Sequence, residues 1–220
     1  QWIIKATASS NDPPASKYVR RILLASIRKT DMSSAEIADH LLSQRRWETD
    51  PRVAAKSLYL ILLLIQYETD LSKFLPLTNK LDQVITVFES SKEDQKSKPI
   101  VDTVKHLAYL VRTKVMFHNT YKQLEGNFAI SQKGNVNQNL ETDLSSYLSI
   151  IAKPAKDLLS IASSAKDFAI AVMSQPAIEE VSNAVKLLRF IKRKDESQIA
   201  LNEGNAVLDT AKKYPYLQAA

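Results

Sequence analysis

The residues best suited to chemistry are cations near the N-terminus: Lys5, then Lys17 beside Tyr18. Between them lies Asn11-Asp12-Pro13-Pro14, two cap-type residues and two prolines that can begin a helix but not continue one. The pattern predicts a short helix ending near Lys5, a turn, and a second helix capped by Asp12 with Pro13 at its first position. Trp2, Ile3 and Ile4 give the first helix an apolar flank. Lys17 and Tyr18 fall in the opening turns of the second. The turn brings the two lysines near each other beside a helix N-terminus, whose unpaired N–H groups favour anions. Such a place suits a phosphate-rich ligand. The plainer alternative is a helical hairpin carrying two solvated lysines.

Other chemistry is hard to assemble. His106 and His118 are twelve residues apart, not at the i, i+4 spacing of a helical zinc pair, and His40 stands alone. All three read as surface or half-buried helix residues. Glu179-Glu180 and Asp195-Glu196 are adjacent carboxylates, and adjacent helix residues do not face each other. Three scattered glycines cannot build a phosphate-cradling loop, and there is no Gly-x-Ser-x-Gly. The chain is not expected to be an enzyme or to hold a metal or cofactor. Arg189, Lys192, Arg193 and Lys194 form a second basic cluster, read as a solvated helix end or a second contact surface. Phe190 is expected to face the core. Nucleic-acid binding calls for aromatics interleaved with basic residues, which are missing there.

The elements that must position these residues are helices. Few glycines and abundant Leu, Ala, Lys and Ser argue for an all-α chain. Its 220 residues are enough to bury a substantial core, and without cysteine there is no disulfide framework. A net charge of +6 suits an acidic partner. The most apolar run, Leu58 to Ile65, is too short for a bilayer, which needs about 20 residues. It reads as part of a helix starting at Asp50-Pro51 and covered on nearly all sides.

Around that helix the pattern predicts others. One reaches Lys29 with Val19, Ile22, Leu23, Ser26 and Ile27 inward and Lys17, Arg21 and Arg28 outward. After a turn at Thr30 to Ser34, a helix capped at Ser33 or Ser34 runs through Leu42, closed by Arg45-Arg46-Trp47. A short helix is interrupted at Pro76, and Ser90 to Pro99 reads as a mobile linker. A long helix starts near Ile100 with Val104, Leu107, Val111 and Val115 as its stripe. Gly126 to Asn139 reads as a flexible loop inside one domain. Helices broken at Pro154 and Pro176, and a last one from Ser197 to about Tyr214, complete the chain. Because it starts at Gln1, it is read as a fragment.

The opening stretch resembles the lipid-binding motif of the ANTH domain, found in clathrin-assembly adaptors of the AP180/CALM family. That motif is a lysine, nine residues, a basic residue, one residue, then Lys or Arg followed by His or Tyr, and Lys5, Lys17 and Tyr18 match it in spacing. Ala15 stands where the family places its second basic residue. Further matches follow in order: Trp47, Val53-Ala54-Ala55-Lys56-Ser57-Leu58, Tyr109-Leu110 with Lys114, and Asn202-Glu203-Gly204. The last block favours ANTH over the shorter ENTH and VHS relatives. The family's later histidine and glycine in the central helix are not preserved.

The resemblance implies a right-handed α-solenoid of stacked helical hairpins, with residues 1–220 as a single ANTH-like domain. It implies a phosphoinositide-binding adaptor in clathrin-mediated endocytosis, peripheral on the cytoplasmic face of the plasma membrane or coated vesicles. Lys5 and Lys17 would charge-pair with headgroup phosphates of phosphatidylinositol 4,5-bisphosphate or a related lipid. Tyr18 would add a hydroxyl donor and a flat side, and Arg20 and Arg21 would meet acidic lipid nearby. Clathrin and adaptor contacts would come from a tail outside this chain, with a SNARE as a further candidate partner and no nucleic acid. The alternative, suggested by Ala15, is a helical protein–protein module that has lost lipid recognition.

Overall fold

In the computed structural model, residues 1–28, 32–44, 46–91, 94–130, 139–192, 195 and 197–214 are described. The elements in order are α1 (Trp2–Ala6), α2 (Ser16–Arg28), α3 (Ser34–Gln44) and α4 (Pro51–Gln66). A 3₁₀ helix (Leu71–Leu77) leads into α5 (Thr78–Ser90), and α6 (Lys98–Thr120), α7 (Leu140–Ala165), α8 (Phe168–Ile191) and α9 (Ser197–Ala211) follow. Among the described residues there is no strand, only an isolated bridge between Leu124 and Ile130. The molecule is an all-α, solenoid-like stack in which successive helices pair. α1 lies on α2, α5 on α6, α6 on α7, and α7 with α8 and α9, while α4 reaches both α6 and α8.

α4 is the centre of the stack. Asp50 caps it, its carboxylate accepting from the N–H groups of Arg52 and Val53, and Pro51 occupies the first turn. From Val53 to Gln66 every residue but Leu63 is buried, as its all-round apolarity requires. α3 starts on a reciprocal capping box. The Glu36 carboxylate accepts from Ser33 N–H at 2.7 Å, and Ser33 Oγ accepts from Glu36 N–H at 3.3 Å. Trp47 folds back under α3 and donates its indole N–H to Leu42 O at 2.8 Å. The buried stripe of α6 is the expected one. Its start at Lys98 follows a turn in which Asp94 accepts from Ser97 N–H at 2.7 Å.

Several expectations need correction. α2 begins at Ser16, not at Pro13: the first helical bond runs from Val19 N–H to Ala15 O at 3.1 Å. Pro13 precedes Pro14, and a residue before proline is pushed out of the α region, which delays the helix past both. Pro154 and Pro176 do not break helices but lie inside α7 and α8. An internal proline costs about 3 kcal/mol. The packing of Ile151, Leu158 and Leu159 around the first, and of Met173, Val181 and Ala177 around the second, outweighs it at roughly 1.5–3 kcal/mol per large buried apolar side chain. The break falls instead at Lys166, which is left-handed at φ 49°, followed by Asp167 as the cap of α8. The stretch Gly126–Ile130 is not a loose loop: Gly126 and Phe128 are buried. Residues 30–31, 92–93 and 131–138 of the expected turn, linker and loop lie outside the described residues, as do Arg45, Arg193 and Lys194.

Glycine is required where helices come closest. A Cβ on Gly204 would lie 2.5 Å from Val185 Cγ2 and 3.1 Å from Leu148 Cδ1, so its absence lets α9 settle between α7 and α8. A Cβ on Gly126 would lie 1.8 Å from Ile65 O, at the end of α4.

Candidate functional site

α1 and α2 run antiparallel, which sets their side chains in pairs. Lys5 Nζ stands 5.3 Å from the centre of the Tyr18 ring, and Arg21 Cζ lies 5.5 Å from the centre of the Trp2 ring. Lys17 and Arg20 are exposed on α2, and Ala15 is exposed just before it. Among the described residues no carboxylate forms an ion pair with Lys5, Lys17, Arg20 or Arg21. The structure thus joins Lys5 to Tyr18 and spreads Lys17 and Arg20 over the adjoining face. Arg21 is engaged with Trp2.

What fixes this geometry is a residue that spacing alone did not single out. Lys56, buried in α4, donates its ammonium to Ala8 O at 2.8 Å and to Ser10 O and Ser10 Oγ at 3.2 Å each. Burial lowers its pKa, while Asp12 pulls the other way. Thr7 ends α1, its hydroxyl and N–H both donating to Ile3 O. Lys56 therefore anchors the connection between Lys5 and Lys17 to the central helix. Its only trace in the sequence is its place in the Val-x-x-Lys-Ser-Leu resemblance.

A second polar cluster lies deep in the stack. Lys114 Nζ donates to Glu180 Oε1 at 2.7 Å and to Gly126 O at 2.6 Å. Tyr147 donates to the same carboxylate oxygen at 2.6 Å, and Gln66 Nε2 to the other at 3.2 Å. His118 Nδ1 is 3.2 Å from Leu124 O, which can only accept. The ring is therefore protonated there, leaving Nε2, 3.4 Å from Lys114 Nζ, as an acceptor. Burial, then the neighbouring Lys114, hold the His118 pKa well below its usual value. Burial raises Tyr147 and lowers Lys114, the latter opposed by Glu180. The cluster ties α4, α6, α7 and α8 together. It is sealed from solvent and contains no nucleophile poised against a base, so it is structural. His118 is thus buried, contrary to the expected surface or half-buried place, because its two ring nitrogens are both satisfied internally.

The second basic cluster is partly spoken for. Arg189 donates to Asn205 Oδ1 and Lys192 to Gln198 Oε1, each at 2.6 Å, linking α8 to α9. Phe190 does not face the core but is 81% exposed, because Leu187 and Leu188 take the inward face of that turn. Among the described residues no group of His, Asp or Glu could hold a metal, and no helix is long and apolar enough to cross a membrane.

A family model described as the ANTH domain matches residues 1–191. Among solved structures, the one titled "Structure of the endocytic adaptor complex AENTH" matches with a TM-score of 0.68 at 17% identity, covering 98% of this chain and 93% of that one. The ENTH domain from epsin-2 in complex with phosphatidylinositol 4,5-bisphosphate matches with a TM-score of 0.70 at 14% identity, covering 99% of this chain and 92% of that one. At such identities the likeness is one of fold. No curated protein matches the sequence. The family match ends before α9 and does not bear on the Asn202-Glu203-Gly204 block, while the ENTH structure, which spans nearly all of this chain, shows that helices in this C-terminal region are not peculiar to ANTH domains.

Proposed function

Since the chain belongs to the ANTH domain family, we propose that it is a phosphoinositide-binding adaptor domain, not an enzyme, acting peripherally on the cytoplasmic face of a membrane in clathrin-mediated endocytosis. The observation that carries the reading is the α1–α2 hairpin. It presents Lys5 against Tyr18, with Lys17 and Arg20 beside them, none ion-paired to a described carboxylate, on a connection anchored by Lys56. The epsin-2 ENTH domain, which shares the fold, holds phosphatidylinositol 4,5-bisphosphate. Residues 1–220 are read as one unit, supported by a single contiguous core from Ala6 to Ala211. Clathrin and adaptor contacts belong to a tail outside these residues, and a SNARE is a further candidate partner.

Each Lys near an anionic bilayer contributes about 1 kcal/mol, fading within a Debye length. Lys5 and Lys17 alone therefore bind weakly, and Ala15 supplies a methyl group where a third cation would stand. The test is co-sedimentation with liposomes containing phosphatidylinositol 4,5-bisphosphate. Lys5→Glu with Lys17→Glu is expected to abolish binding without unfolding, Ala15→Lys to strengthen it, and raised salt to weaken it in both backgrounds. A double variant that binds like the parent would move the protein-interaction reading ahead. Ala15 is the observation that favours this second reading.

A further inference from the structure

The geometry points to α2 lying flat in the interface of an anionic bilayer, with Leu24, Ile27 and Trp2 below the phosphates. This rests on the membrane reading above and specifies how the domain sits. The outward residues of α2 are Lys17, Arg20, Arg21, Leu24, Ile27 and Arg28, all exposed. At 3.6 residues per turn they fall within about 120° of arc, a strip along a helix roughly 20 Å long. The inward residues Val19, Ile22 and Ser26 are buried on the other side. Leu24 is 39% exposed, and Ile27, expected to face inward, is 55% exposed, because Val19, Ile22 and Ser26 take the buried side; on α1 Trp2 is 39% exposed beside Arg21.

The strip selects its occupant. Its charged members, Lys17, Arg20, Arg21 and Arg28, are all cations with no carboxylate among them, so what covers it is an anionic surface. Here the two aliphatic side chains sit between Arg20 and Arg21 on one side and Arg28 on the other. A helix at a bilayer surface has this composition: cations at the phosphates, their stems and the Leu, Ile and Trp side chains reaching the acyl boundary. The strip is also continuous with Lys5 and Tyr18, so headgroup capture and insertion would occur on one surface.

The molecule carries its own depth probe. Trp2 is exposed, whereas Trp47 is 4% exposed with its N–H donated to Leu42 O. The experiment uses phosphatidylcholine–phosphatidylserine vesicles with phosphatidylinositol 4,5-bisphosphate, their acyl chains brominated near the glycerol. The expected result is quenching of tryptophan emission on binding, lost in Trp2→Phe. Leu24→Ser with Ile27→Ser is expected to lower vesicle affinity about tenfold, at an unchanged thermal midpoint. If the parent co-sediments but Trp2 is not quenched and the double serine variant binds equally well, the flat-helix inference is overturned while headgroup binding stands. If the parent binds no anionic vesicle, both readings fall. If the double serine variant shifts the sedimentation velocity of vesicle-free protein from dimer to monomer, the strip is a contact between copies and the inference is overturned.

Discussion

The two buried lysines do different work from the exposed ones, and single substitutions should separate them. Removing Lys114 leaves Glu180 buried without its cation, which costs about 3–5 kcal/mol. Lys114→Met is therefore expected to lower the thermal midpoint by roughly 6–20 °C, at about 2–4 °C per kcal/mol for a chain of this size. Adding Glu180→Leu should restore much of the loss, because no unpaired charge remains, and a calorimetric double-mutant cycle measures both effects. Lys56→Met acts elsewhere. It leaves Ser10 O without a donor and Ala8 O with the Ser10 N–H alone, a loss of about 1–3 kcal/mol, and frees the connection that sets Lys5 against Tyr18. Vesicle affinity is expected to fall although Lys56 itself is buried, and hydrogen exchange should rise in residues 7–15. The exposed cations were legible in the sequence because their spacing and the turn residues between them are local. The buried ones were not: lysine is almost never buried unless paired, and the partners that allow it lie far away in the chain, Glu180 for Lys114 and Ala8 for Lys56.

Helices were legible where local chemistry and packing agree. Asp50-Pro51 and Ser33-x-x-Glu36 mark their helix starts, and the stripe of α6 was readable residue by residue. Pro154 and Pro176 misled because proline acts locally while the packing that overrides it comes from neighbouring helices. The glycines give a test at this scale. Gly204→Ala gains about 1 kcal/mol of helix propensity and loses about 1–3 kcal/mol to overpacking against the movable side chains of Val185 and Leu148. Its net cost should stay within about 2 kcal/mol. Gly126→Ala meets the backbone carbonyl of Ile65, which cannot rotate away, so at least about 3 kcal/mol is expected. Urea denaturation of the two variants checks the order, and the reverse order would show that Gly126 does not pack against α4 as described.

Across the whole molecule the central cluster makes stability depend on pH. His118 is held neutral in the folded chain, its pKa depressed by burial and by Lys114, with Glu180 and Tyr147 facing the same ammonium. An unfolded histidine titrates near 6.5. Between that value and the lower folded one the unfolded chain binds the extra proton, so stability is fully present above about pH 6.5 and falls as pH drops below it. His106, also lowered by burial, adds to the same trend. Thermal midpoints should decline from pH 7.5 to 5.5, and His118→Gln should flatten that decline even though it lowers the midpoint at pH 7.5. Lysine burial has one more consequence, in reactivity. An acylating reagent attacks only amines it can reach. Lys5 and Lys17 should therefore label early in the native chain, while Lys56 and Lys114 stay unmodified until it unfolds. Peptide-resolved labelling would then read the fold from the silent lysines and the footprint of a bound membrane from those that fall silent on binding.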